Sequence, residues 1–137
     1  VGLRIVGTKM LAPDDNHYFK HYEEIGTLKT RAGDKIFDIT LQMMSAGPVI
    51  AMVFEGVEAV ALVRKMVGAT EPKSSAPGTI RGDYSHMSYG YADDAEKGIP
   101  NLLHASGDVD EAEKEIAHWF TDEELFDYEA LHEKFTR

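Results

Sequence analysis

The sequence predicts a small α/β sandwich in which helices cover a sheet. Two apolar runs bounded by turn residues, near residues 3–11 and 49–54, read as strands. Stretches with apolar residues three and four positions apart lie between and after them, and no internal repeat interrupts the alternation. At 137 residues the chain suffices for one compact domain and falls short of two ordinary ones.

Leu3, Ile5 and Val6 open a mostly apolar stretch that runs to Met10 and Leu11, a strand. Asp14 or Asp15 is placed to cap the next helix, whose apolar side is Tyr18, Phe19 and Tyr22. Residues 25–34, with two glycines, read as a loop, and Ile36, Ile39, Thr40 and Met43 recur at helical spacing until Gly47-Pro48 stops them. VIAMVF at 49–54 is continuously apolar between Pro48 and Gly56, as in a strand buried on both faces. Helical spacing returns over 57–67, with Gly68 as C-cap. Pro72, Pro77 and Gly78 make 69–83 an ordered loop, and 84–100 reads as a polar, exposed excursion. Leu102 and Leu103 form a last short strand. Asp108 and Glu111 stand at capping-box spacing before a stripe of Val109, Ala112, Ile116 and Trp119, and Thr121 with Glu124 repeats that spacing ahead of a short helix around Leu125 and Phe126.

Composition narrows the function. Without cysteine there is neither a disulfide framework nor a thiolate zinc site. A net charge of -10 repels the backbone of a nucleic acid, yet a few converging arginines can still hold a single nucleotide. No apolar run is long enough to span a bilayer and no leader opens the given sequence, so a cytoplasmic protein without membrane or nucleic-acid partners is the expectation.

His104 is the sharpest chemical candidate, because it follows an apolar pair and precedes Ala105 and Ser106 just before a helix. A neutral imidazole is a nucleophile near pH 7 when an acceptor holds its other nitrogen, and Glu115, about two turns into that helix, is placed to fold back on it. The bland alternative is a surface or structurally satisfied histidine. Arg64 and Arg81 suit phosphate oxygens, since a guanidinium donates two hydrogen bonds at once; Arg81 follows a Pro-Gly turn, and Arg64 precedes the hydroxyl of Thr70. Each read singly is equally a surface ion-pair partner. Neither GxxxxGK[ST] nor GxGxxG is present, so phosphate binding falls to side chains. His17 and His21 share a helical face without an HExxH pattern and read as solvated rather than as a metal pair; His118 reads as surface or interface, and Trp119 and Phe120 as core anchors.

Taken together, GLRIVGTKM at 2–10, HY at 21–22, SAGPVIAMVFEG at 45–56, RKMVGATEPKSSAPGTIRGDY at 64–84, NLLHAS at 101–106 and EAEKEIAHWF at 111–120 resemble the nucleoside diphosphate kinase family. PGTIRGD followed by NxxHxS is the specific combination. The resemblance implies a ferredoxin-like α/β sandwich with an antiparallel sheet, assembled as a homotetramer or homohexamer. It also implies transfer of the terminal phosphoryl group of ATP or another nucleoside triphosphate to a nucleoside diphosphate, with Mg2+ carried mainly by the nucleotide phosphates. By the same resemblance His104 is the phosphorylated histidine, Glu115 orients it and Ser106 stands beside it. Tyr22, Arg64, Thr70 and Arg81 take the phosphate positions and Asn101 the sugar position.

The family's first strand and helix, with a phosphate-site lysine, precede the part that matches here. The expectation is therefore a single domain over 1–137 that is N-terminally incomplete. The family's base-stacking phenylalanine falls near Ile36, after an insertion, and the opposite apolar wall falls near Ser88, where a second insertion begins. The usual HxSDS run reads HASGD, so Asp108 takes over the helix cap. A noncatalytic nucleotide-binding or interaction protein and a histidine-dependent phosphatase stand as the alternatives.

Overall fold

The computed structural model describes residues 1–25, 38–39, 41–100 and 102–136. Strands β1 (Arg4–Leu11) and β2 (Val49–Glu55) pair antiparallel from Arg4 opposite Glu55 to Leu11 opposite Val49, with an irregularity between Ile5 and Gly7. Helix α1 (Asp15–Ile25) follows β1, and Asp14 caps it by accepting the His17 N–H at 2.8 Å. Residues 38–39 and 41–44 are helical and are labelled α2. Of the loop expected at 25–34, Ile25 instead ends α1, and the rest, with the start of the helix at Ile36, lies outside the described residues.

Helix α3 (Ala59–Val67) follows β2 and closes on Gly68, whose N–H returns to the Arg64 carbonyl and whose positive φ of 93° favours glycine. The loop at 69–83 is more regular than its prolines suggest, with a 3-10 turn at Pro72–Ser74 and helix α4 (Ile80–Tyr84). The excursion also contains a helix, α5 (Tyr89–Asp94): Ser88 Oγ accepts the Tyr91 N–H, and Ala92 is buried. These are corrections. A local cap outweighed a polar composition.

Helix α6 (Val109–Trp119) starts as expected, with Asp108 accepting the Glu111 N–H at 2.8 Å, although Glu111 turns back to the Gly107 N–H. Thr121 and Glu124 form the capping box but start only a 3-10 turn, Asp122–Glu124, because the chain leaves to bond β1 through the Phe126 N–H and the Val6 carbonyl at 2.8 Å. A final short helix, α7 (Glu133–Thr136), was not anticipated.

Val6, Val53 and Phe120 form the core, with Ala51, Ile116, Trp119 and Leu125 packed against it, so α6 covers one face of the sheet. Gly7 is required there, since a Cβ would meet Leu125 and Phe120. VIAMVF is buried on one face only: Val53 points inward, whereas Ile50 and Met52 open outward with Ile5 and Met10 of β1. Leu102 and Leu103 form no ladder among the described residues. Leu102 has φ 72°, outside the β region, and the Leu103 carbonyl is taken by Arg81. Val109, expected in the apolar stripe of α6, is exposed. No helix among the described residues is long and apolar enough to cross a membrane.

Candidate functional site

The segment 102–106 is shaped by contacts with its carbonyl groups. Arg81 donates from Nη2 to the Leu103 carbonyl at 2.6 Å and from Nη1 to the Gly68 carbonyl at 3.3 Å. Arg64 donates to the Ala105 and Ser106 carbonyls at 3.3 and 3.5 Å. Two guanidiniums thus grip the backbone on either side of His104. Local sequence places them: Arg64 is in the last turn of α3, and Arg81 opens α4, where Thr79 Oγ1 accepts the Gly82 N–H at 3.0 Å. Leu102, a bulky residue with positive φ, is the strained entry to the segment.

His104 Nε2 meets Glu115 Oε2 at 2.5 Å. Glu115 is buried in α6, whereas the His104 side chain is 37% exposed, so a buried carboxylate backs a reachable imidazole. Burial pushes the Glu115 carboxyl up, but the hydrogen bond and charge of His104, with His21 and the Ser106 hydroxyl, outweigh it and hold the group below its ordinary range. Arg81 is lowered, first by burial and then by the charge of Arg64. Two cations drawn together in this way favour an anion between or beside them.

Of the residues singled out from the sequence, the structure brings His104, Glu115, Ser106, Arg64 and Arg81 together. Thr70 is exposed in the loop after α3, and among the described hydrogen bonds none joins it to the cluster. Ser88 serves as the N-cap of α5, which is anchored by the Tyr89 N–H on Glu71 Oε1 at 2.9 Å. Ile36, Asn101 and the side chain of Tyr22 lie outside the described residues.

One residue of the cluster was missed. His21, read as solvated, is 3% exposed; its Nδ1 lies 3.5 Å from Glu115 Oε2, and its ring stands edge-on to His104 at 4.7 Å. Its four-residue spacing from His17 was the available signal: both rings stand edge-on to Trp119, at 4.3 Å for His17 and 5.5 Å for His21, but His17 stacks on His118 at 4.0 Å whereas His21 reaches Glu115. Ligand atoms of His21, His104 and Glu115 lie within 4.8 Å of one another. Trp119 Nε1–H already occupies His21 Nδ1 at 3.0 Å, and His104 already engages Glu115, so the cluster is built for hydrogen bonding rather than chelation. A cavity of about 340 Å³ shares no lining residue with this cluster; Val6, Val53, Phe54 and Leu125 line it on the core side.

An exposed imidazole backed by a buried carboxylate and flanked by two guanidiniums, on an α/β frame with an antiparallel sheet, is the kind of site that suits phosphoryl transfer through histidine. A family model for nucleoside diphosphate kinase matches residues 1–125. The chain is 41% identical over 128 residues to a nucleoside diphosphate kinase of Borreliella burgdorferi, covering 93% of this chain and 76% of that one. It is 43% identical over 127 residues to that of Pyrococcus furiosus, covering 93% and 71%. Among solved structures, a transition-state mimic of the Borrelia burgdorferi enzyme with vanadate and ADP superposes with a TM-score of 0.88 at 39% identity, over 98% of this chain and 80% of that one. A Halobacterium salinarum nucleoside diphosphate kinase in complex with CDP gives 0.78 at 37% identity, over 98% and 79%. The chain belongs to the nucleoside diphosphate kinase family, and its fold is the ferredoxin-like α/β sandwich of those structures.

Proposed function

We propose that this chain is an enzyme that moves the terminal phosphoryl group of a nucleoside triphosphate, mainly ATP, to a nucleoside diphosphate by way of a phosphohistidine at His104. The observation that carries the reading is the 2.5 Å contact of His104 Nε2 with Glu115, flanked by Arg64 and Arg81. With its proton shared between Nε2 and Glu115, the ring keeps its lone pair on Nδ1. That lone pair forms the N–P bond as the bond from the γ-phosphorus to the bridging oxygen breaks, and the oxygen departs with the electron pair as the nucleoside diphosphate. A second diphosphate reverses these steps, so one pocket serves both half-reactions. The guanidiniums offset the charge on the nonbridging oxygens.

In this reading Tyr22 and Thr70 join the arginines at the phosphates, Asn101 holds the sugar, Ile36 and Ser88 flank the base, and Ser106 supports Glu115. The match to the family's motifs supports these assignments at the phosphates, the sugar and Ser106, whereas Ile36 and Ser88 are placed by position beside the two insertions. The described donors here are guanidiniums, imidazoles and one engaged carboxylate, a set that grips phosphate oxygens rather than caging a hard cation. It therefore fits Mg2+ arriving on the nucleotide. When bound, Mg2+ neutralises phosphate charge. The reading is completed by a single-domain protein in the cytoplasm, assembled as a homotetramer or homohexamer; the outward apolar face of the sheet, with Ile50 and Met52, supports self-association.

Intact mass after MgATP and then after a different nucleoside diphosphate tests the proposal. The expected result is a gain of one phosphoryl group followed by its loss with formation of the matching triphosphate. His104→Ala takes no label while remaining folded. Label accepted by His104→Ala, or discharged only to water, overturns the reading in favour of another acceptor or a phosphatase.

A further inference from the structure

Two imidazoles face one carboxylate oxygen. His104 Nε2 lies 2.5 Å from Glu115 Oε2 and His21 Nδ1 lies 3.5 Å from it, so His21 is positioned to compete for the acceptor that His104 needs. The competition is settled from outside the pair. Trp119 lies four residues after Glu115 on α6, hence on the same face, and its indole N–H reaches His21 Nδ1 at 3.0 Å. An indole nitrogen can only donate, so the nitrogen it meets must carry a lone pair, and the proton of the neutral His21 ring then resides on Nε2.

We infer that Trp119 and His21 form a positioning pair: the indole N–H fixes the His21 tautomer and thereby reserves Glu115 for His104. The inference rests on the proposed phosphorylation of His104. Neither Trp119 nor His21 receives the phosphoryl group; each acts through Glu115. Burial supports the arrangement, because His21 is 3% exposed and stands edge-on to both His104, at 4.7 Å, and Trp119, at 5.5 Å. Burial, and then the charge of His104, lower its proton affinity to about 4 against the pull of Glu115, with His118 and His17 adding to the lowering. His21 is thus neutral where the enzyme works. Were it to protonate and pair with Glu115, His104 would lose both its orientation and the negative charge that balances its ring once the phosphoryl group is attached.

A double-mutant cycle on the full chain tests this. Trp119→Phe keeps the aromatic body and removes the N–H, and His21→Met removes the competitor. The readouts are single-turnover labelling of His104 by MgATP from pH 5 to 8 and ring-nitrogen NMR of His21. The expected results are the Nε2–H tautomer in the wild type and, in Trp119→Phe, labelling slowed about tenfold, with a further loss as pH falls. In the His21→Met background the same Trp119→Phe change should cost less than threefold, because there is no competitor left to restrain. Equal slowing in both backgrounds would make Trp119 merely structural and overturn the inference, as would an Nδ1–H or doubly protonated His21 in the wild type at pH 7. A wild-type chain that takes no label at His104 overturns the functional reading itself, and the positioning pair with it.

Discussion

Glu115 shows how one side chain acquires two consequences. Its carboxylate orients His104, so Glu115→Gln, which keeps the shape and removes the charge, should lower the rate of His104 labelling about 10- to 100-fold with the fold intact, as single-turnover kinetics would show. The arginines separate differently. Arg64 is exposed and makes long bonds, whereas Arg81 is buried and ties Leu103 to Gly68. Alanine at either site should slow transfer by roughly 100-fold or more. Only Arg81→Ala should also lower the melting temperature, a difference that calorimetry beside the kinetics would reveal.

The pH dependence of stability belongs at this scale too. His21 holds a proton less readily when folded, at about 4 against an ordinary 6.5, so the unfolded chain binds more protons between those values. Its stabilising effect is complete above about pH 6.5 and declines as pH falls toward 4. Glu115, whose affinity is also lowered, contributes above its unfolded value and loses that contribution as pH falls through the folded one. Thermal melts between pH 4 and 7 should therefore slope downward toward acid, and His21→Met should flatten the slope.

Elements here are decided by caps more than by apolar periodicity. Asp14, Thr79, Ser88 and Asp108 each accept a backbone N–H three residues on, and each starts a helix, including the two short ones that a reading of composition passed over. At Thr121 the capping box is present, but the chain turns away to bond β1 through the Phe126 N–H, and the element stops after a single 3-10 turn. Helix α4 depends further on a glycine, because a Cβ at Gly82 would run into the Ala76 carbonyl. Gly82→Ala should cost about 1–3 kcal/mol by denaturant unfolding and weaken nucleotide binding as Arg81 shifts.

Across the whole molecule, the last segment is fastened to the first strand. Arg4 is buried and pairs with Glu55 at 2.7 Å, Asp127 at 3.1 Å and Glu133 at 3.3 Å, and it donates to the Tyr128 carbonyl, while the Tyr128 hydroxyl donates to the Ile5 carbonyl at 2.5 Å. Arg4→Ala should lower the melting temperature and expose residues 126–136 to limited proteolysis. Intact protection of that segment would show that the backbone bond from Phe126 to Val6 suffices.

The sequence by itself determined both strands, helices α1, α3 and α6 and the reach of Glu115 toward His104, because capping, periodicity and a fold-back of two turns are properties of neighbouring residues. The PGTIRGD and NxxHxS motifs also made the family legible. Only the tertiary structure decided that Leu102 and Leu103 form no strand among the described residues, that one face of β2 stays open, and that two guanidiniums hold the backbone around His104. It alone brought His21 to Glu115 and Trp119. That contact joins residues 98 apart, and it exists because α1 packs against α6, a juxtaposition that no local spacing encodes.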